Sequence, residues 1–179
     1  MFAERGEGMI ILGLDPGTAT TGVGIIQVLG NQFRPINYGV ISTPPDLAME
    51  KRLVMIYEQL NEIIDTYRPD QVAIEKLFFN QNVTTGITVG QARGVLLLAC
   101  AQKNLPIGEY TPLEVKQALV GYGRAEKKQM QHMVKTFLGL KDIPKPDDAA
   151  DALAVSITCS FLYRQGQNGE YKFSNTRNK

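Results

Sequence analysis

MIILGLDPG, residues 9–17, decides the fold: an unbroken apolar run closes on Asp15-Pro16-Gly17. A segment that is apolar at odd and even positions alike reads as a strand buried on both faces, and Asp-Pro-Gly stops it in a turn. Asp15 therefore falls at the C-terminal end of a buried strand. Thr21-Gly22-Val23-Gly24 then leads into a second apolar run at residues 25–29, Gly30-Asn31 turns the chain, and residues 36–42 supply a third run. The three together predict an antiparallel meander.

Outward from this meander, Pro44-Pro45-Asp46 opens a helix whose Leu53, Ile56, Leu60, Ile63, Ile64 and Tyr67 share one stripe. QVAIE, residues 71–75, is a short strand that ends in an acid, so Glu75, like Asp15, lies where loops build sites. Residues 83–103 read as a second helix and 105–110 as a further strand. Thr111-Pro112-Leu113-Glu114 is a capping box with proline at the first helical position, and Gly121-Tyr122-Gly123 ends the helix it starts. Met130, Met133, Val134, Phe137 and Leu138 mark the next helix, and the Pro-rich 143–146 turns the chain into the last one. The order β-β-β-α-β-α-β-α-α-α implies an α/β domain with a mixed sheet of about five strands and helices on both faces.

At 179 residues, 44% hydrophobic, 21% charged and without tryptophan, the chain fits one globular domain. The expected organisation is a flexible extension at 1–8, a single domain at 9–163 and a polar, basic tail at 164–179. A net charge of +1 neither announces nor excludes nucleic acid; binding to a polyanion would need a local cluster of Lys and Arg. Cys100 and Cys159 sit in apolar helical runs and read as small buried hydrophobes, which predicts a reducing, cytoplasmic setting. The longest apolar run, 95–101, is too short to span a bilayer, and no membrane association is expected.

The chemistry enters with DDAADALAVS, residues 147–156. Asp148 and Asp151 stand at i and i+3 at the opening of a helix, where both carboxylates share a face and the helix dipole favours anions. Ala149, Ala150, Ala152 and Ala154 would let this helix lie close to other backbone. Taken alone, the segment reads as an Asp cap on an alanine-rich helix sooner than as a metal site. Asp15 and Glu75 change that balance. Four carboxylates without a histidine form an oxygen-only set suited to hard cations such as Mg²⁺ or Mn²⁺. Two such ions about 3.5–4 Å apart can activate water and stabilise the leaving oxygen in phosphodiester hydrolysis. Gly13, Gly17, Gly22 and Gly24 spell neither a Walker A loop nor G-x-G-x-x-G before a helix, and their expected use is to let a phosphate backbone or a metal approach the main chain near Asp15.

Five segments in order, ILGLDPGTATTGVGII, AIEKLFFNQN, GQARGV, VKQALVGYGRAEKKQMQHMV and DDAADALA, resemble the RuvC-type crossover junction endodeoxyribonucleases, the bacterial Holliday junction resolvases, over nearly all of 9–161. The resemblance implies a ribonuclease H-like fold and a catalytic, metal-binding tetrad of Asp15, Glu75, Asp148 and Asp151, served by two Mg²⁺ ions for which Mn²⁺ may substitute. It implies a homodimer that makes paired, symmetric cuts across a four-way DNA junction, with RuvA and RuvB as branch-migration partners. It further implies that Lys116 and Lys127 contact the DNA backbone, with Lys128 adding a neighbouring charge, and that Phe78 stacks on a base near the crossover. Phe78 and Phe79 are equal candidates for the outward ring. Lys76, where relatives often carry an uncharged polar residue, and the extension before Met9 depart from the family pattern without touching the tetrad. His132 lies opposite the Met130/Met133/Phe137 stripe and takes no catalytic role.

Gly86, Gly90 and Gly94 form a flat strip on the second helix. The strip lies either at a two-fold contact or against the protein's own sheet. Two other functions compete: a junction-binding subunit that has lost cleavage, which four intact acids oppose, and an ATP-binding relative of the actin and sugar-kinase superfold, suggested by Asp15-Pro16-Gly17-Thr18. The second needs a duplicated domain with another phosphate loop, and the chain is too short for it.

Overall fold

The computed structural model describes residues 8–76 and 83–167. Its elements follow the expected order: β1 (Met9–Asp15), β2 (Thr20–Leu29), β3 (Gln32–Ser42), α1 (Met49–Tyr67), β4 (Gln71–Glu75), α2 (Val83–Gln102), β5 (Ile107–Tyr110), α3 (Pro112–Val120), α4 (Lys127–Phe137) and α5 (Asp147–Gln167). The sheet runs β3-β2-β1-β4-β5, with β1, β2 and β3 antiparallel and β4 and β5 parallel to β1. The parallel neighbours require crossovers, which α1 and α2 supply.

Side-chain alternation along the strands sorts the core into two layers. Ile11, Ile26, Val28 and Ala73 face one side, where Val115 and Leu119 of α3, Met130 and Val134 of α4, and Leu153 and Ile157 of α5 close over them. Leu12, Leu14, Val23, Ile25, Val72 and Ile74 face the other side, under Ile56, Leu60 and Ile64 of α1 and Ala92, Leu96 and Cys100 of α2. Each fully buried Leu or Ile contributes about 1.5–3 kcal/mol by leaving water. Cys100 and Cys159 are free and buried, and burial pushes both thiols up to about 12, so they behave as the small apolar groups their context suggests.

Local chemistry explains several boundaries. Thr111 and Glu114 form the expected capping box at α3, each side chain bonding the other's backbone N–H at 3.1 and 2.7 Å. A second box, Glu126 with Gln129, starts α4 and was not foreseen. On the edge strand β3, Ile25 pairs with Asn37 and Ile26 with Pro35, so Ile36 is an extra residue in a bulge. A proline is tolerable there because an edge strand owes one row of N–H groups to no neighbour.

The close approach that matters for function is that of α5 to the meander. It packs across all five strands. A Cβ on Gly13 would lie 2.0 Å from the Ala152 carbonyl oxygen, one on Gly22 2.0 Å from the Asp148 carbonyl oxygen, and one on Gly24 2.6 Å from the Leu153 nitrogen. These glycines therefore admit the backbone of α5. That corrects the expectation that they leave room for a phosphate or a metal; the small residues of strand and helix are two halves of one contact. Ser156 and Thr158, buried in the same helix, bond the Leu153 and Ala154 carbonyl oxygens at 2.8 and 2.9 Å, so their burial leaves no hydroxyl unpaired. The helix continues to Gln167, past residue 163.

Candidate active site

Two carboxylates come from the sheet. β1 and β4 run parallel with Leu14 opposite Ile74, so the next residue on each strand, Asp15 and Glu75, lies side by side at the sheet's C-terminal edge. The other two come from the first turns of α5, whose N-terminus lies over that edge because Gly22, paired with Asp15, touches Asp148. One ligand oxygen each from Asp15, Asp148 and Asp151 lies within 4.8 Å of the others, all three residues half-buried.

The electrostatics record how close the acids are. Burial, then the charges of Glu75 and Asp151, push Asp15 from 3.8 up to about 8, with a hydrogen-bonding contribution from Glu75 in the same direction. Burial also raises Glu75, against the lowering effect of hydrogen bonding with Asp15 and of the charges of Lys127 and Lys116. Asp151 is raised by burial and partly relieved by Lys127. A buried anionic group with so little positive compensation suits a divalent cation, and the donors are all oxygens; the residues fit Mg²⁺ or Mn²⁺ and do not fit zinc.

Thr20 steadies the cluster, its hydroxyl donating to Asp148 Oδ2 at 2.6 Å. The sequence reading passed over this residue. Its signal is the hydroxyl run Thr18, Thr20 and Thr21 directly after Asp-Pro-Gly, in which Thr21 closes its own loop by donating to the Gly17 carbonyl at 2.7 Å.

Of the expected DNA-contacting residues, Lys127 stands at the site itself, with Nζ 3.1 Å from Asp147 Oδ2 and 3.3 Å from Asp151 Oδ2. Burial works against its ammonium group, yet the hydrogen bonds and charges of Asp147 and Asp151 prevail and raise its pKa. Lys116 lines, with Lys127, Glu75 and Asp151, a cavity of about 200 Å³. Lys128 is exposed on α4, as is His132. Phe78 and Phe79 lie outside the described residues. The acids also border a second cavity of about 380 Å³, which Asp15 and Asp148 share with the loop between β1 and β2 and with Arg52. The tetrad thus stands between two cavities, Glu75 and Asp151 on one side, Asp15 and Asp148 on the other.

Gly90 and Gly94 settle one alternative about the strip. A Cβ at either would meet nothing within 4 Å, so the strip faces away from the sheet. Ile87 and Leu98 on the same side of α2 are 57% and 54% exposed.

Comparison with known proteins points to one family. A family model described as crossover junction endodeoxyribonuclease RuvC matches residues 11–159. The crossover junction endodeoxyribonuclease RuvC of Desulforamulus reducens is 58% identical over 149 residues, which cover 83% of this chain and 91% of that protein. That of Alkaliphilus oremlandii is 59% identical over 149 residues, with 83% and 91% covered. Among solved structures, Thermus thermophilus RuvC in complex with Holliday junction substrate superposes with a TM-score of 0.84 at 36% identity, covering 88% of this chain and 96% of that one. The yeast mitochondrial Holliday junction resolvase Ydc2 shares the fold at 13% identity, with a TM-score of 0.66 and 89% and 81% covered.

Proposed function

This chain belongs to the RuvC family of crossover junction endodeoxyribonucleases, and from that premise we propose that Asp15, Glu75, Asp148 and Asp151 are the residues with which it hydrolyses DNA at a four-way junction. The enzyme is a nuclease of DNA recombination and repair with the ribonuclease H-like fold of its family. The observation that carries the residue assignment is the convergence of Asp15, Asp148 and Asp151 within 4.8 Å from two elements far apart in sequence, with Glu75 at the end of the strand paired beside Asp15.

The donor set favours two Mg²⁺ ions, replaceable by Mn²⁺, and such ions supply an activated water and stabilisation of the leaving oxygen. The chain's own residues do the positioning. Asp15 and Glu75 are fixed on paired strands, Asp148 is aimed by Thr20, and Asp151 is held one turn further along the same helix face. Lys116 and Lys127 would hold the phosphates of a strand laid across Glu75 and Asp151, giving affinity that is salt-dependent and blind to sequence. Lys128 adds charge beside them, and Phe78 remains the residue assigned to base stacking.

The partner reading is a homodimer, since a C2 pair places one tetrad at each of two equivalent scissile bonds. Ile87, Gly90, Gly94 and Leu98 give α2 an uncovered apolar face that suits such a contact. RuvA and RuvB as partners rest on family membership alone.

Single-turnover nicking of a mobile four-way junction, with and without Mg²⁺, tests the assignment. Asp15→Asn, Glu75→Gln and Asp151→Asn are expected to lose at least about a thousandfold in rate, the scale of removing one member of a catalytic set, while still binding the junction through the lysines. Asp148→Asn retains some activity because an amide oxygen can still ligate. Nicking near the wild-type rate by any of the first three would overturn the tetrad.

A further inference from the structure

The cavity of about 380 Å³ beside Asp15 and Asp148 contains one cation, Arg52, which belongs to α1 and lies far in sequence from every acid of the site. Its Nε donates to Thr43 Oγ1 at 2.8 Å. That hydroxyl donates to the Thr18 carbonyl at 2.7 Å, and the Thr18 hydroxyl donates to the Thr88 carbonyl at 2.8 Å, so the guanidinium is braced through a buried threonine pair against the loop that follows Asp15. Arg52 makes no ion pair among the described residues, although two carboxylates border the same cavity. A guanidinium held by Nε alone keeps its two Nη nitrogens for a ligand, and a planar pair of donors with its orientation already fixed matches the two free oxygens of a phosphodiester.

The other side of the tetrad already has its phosphate-seeking charges in Lys116 and Lys127. A strand with its scissile bond over the carboxylates must continue past Asp15 and Asp148, and the cavity there is of a size to admit a nucleotide, with Met49 and Val89 as apolar wall. We propose that Arg52 binds a phosphodiester of the cleaved strand next to the scissile one, so that the strand is gripped on both sides of the acids, by lysines beyond Glu75 and by this arginine beyond Asp15. The assignment rests on the nuclease reading above. Arg52 is a substrate-positioning residue: it holds the neighbouring phosphate and through it the register of the bond to be cut.

The alternative is that Arg52 only braces the loop, and the test separates the two. Junctions are prepared with a single neutral methylphosphonate at each of the three positions on either side of the nick, and single-turnover nicking is measured with wild type and Arg52→Gln. The glutamine keeps a donor for Thr43 and removes the charge. In the wild type, one position slows nicking by about 10- to 100-fold, the range of one lost charge-assisted hydrogen-bonding partner. Arg52→Gln slows the unmodified junction by a similar factor, and at that one position the two changes together cost no more than either alone. Penalties that multiply at every position, or an Arg52→Gln enzyme that nicks at the wild-type rate, would overturn the proposal. Arg52→Lys, which keeps the charge without the fork, repeats the scan if the glutamine variant melts early, and must retain the position-specific penalty in reduced form. Wild-type nicking of the unmodified junction is the control for the underlying reading: its absence sinks the nuclease assignment, whereas normal nicking with multiplying penalties sinks Arg52 alone.

Discussion

Two sets of glycines in this chain look alike as sequence and differ in use. Gly13, Gly22 and Gly24 are filled to contact by the backbone of α5, while Gly90 and Gly94 on α2 face open space. A glycine reports that something must come close. Only the fold shows whether the approach is made within the chain or kept for another molecule. The first set fixes where Asp148 and Asp151 stand relative to Asp15; the second leaves a bare apolar face, the one proposed for a twin chain.

The sharpest way to break this contrast is Gly22→Ala. Its methyl would lie 2.0 Å from the Asp148 carbonyl oxygen and 3.1 Å from Asp15 Cβ, so α5 must shift. Overpacking of this kind costs about 3 kcal/mol, and the displaced acids should lose cleavage with it. Urea denaturation and nicking check both; a variant that kept wild-type values would show that the close docking is not what sets the tetrad.

A weaker but telling effect is the pH dependence of the metal-free protein. Asp15 rises from 3.8 to about 8, so between those values the native state binds a proton that the unfolded chain releases. The stabilisation from that proton is complete below pH 3.8 and is lost as pH climbs through about 8. The thermal midpoint without cation should therefore fall across this window through Asp15's contribution, and Mg²⁺ should flatten the fall by binding the ionised form. Asp15→Asn should remove this component. An identical pH profile in wild type and Asp15→Asn would mean that the crowding of acids is not felt by the fold. No such dependence should come from the α2 strip, which carries no acid.

The smallest effect on the fold belongs to Gly90→Leu. With nothing within 4 Å, the new side chain should change monomer stability by less than about 0.5 kcal/mol, yet split the proposed homodimer at low concentration. Sedimentation with circular dichroism reads both; a stable dimer, or an unfolded chain, would remove the strip from the interface.

Most of the fold is legible in the chain because its periodicities do not compete. MIILGLDPG is apolar on both faces, the α1 stripe has one period, and Thr111-Pro112-Leu113-Glu114 is a complete start signal. The four acids are visible at element ends as soon as those ends are placed. What stays hidden depends on partners distant in sequence. Nothing near Gly22 shows that Asp148 will press on it, nothing near Lys127 shows that Asp147 and Asp151 will claim it, and Arg52 reads as one more charge on an amphipathic helix until Thr43 and Thr18 are folded against it.

The placement of α5 also sets a schedule. Asp15 and Glu75 are carried by strands made early in synthesis, whereas Asp148 and Asp151 are carried by α5, the last helix among the described residues, which lies across all five strands. A nascent chain that has folded its sheet but not yet released α5 from the ribosome has half of the acids. Such a chain also leaves the layer of Ile11, Ile26 and Ala73 open to water, so on the proposed assignment neither the core nor the competence to cut DNA is complete until α5 docks.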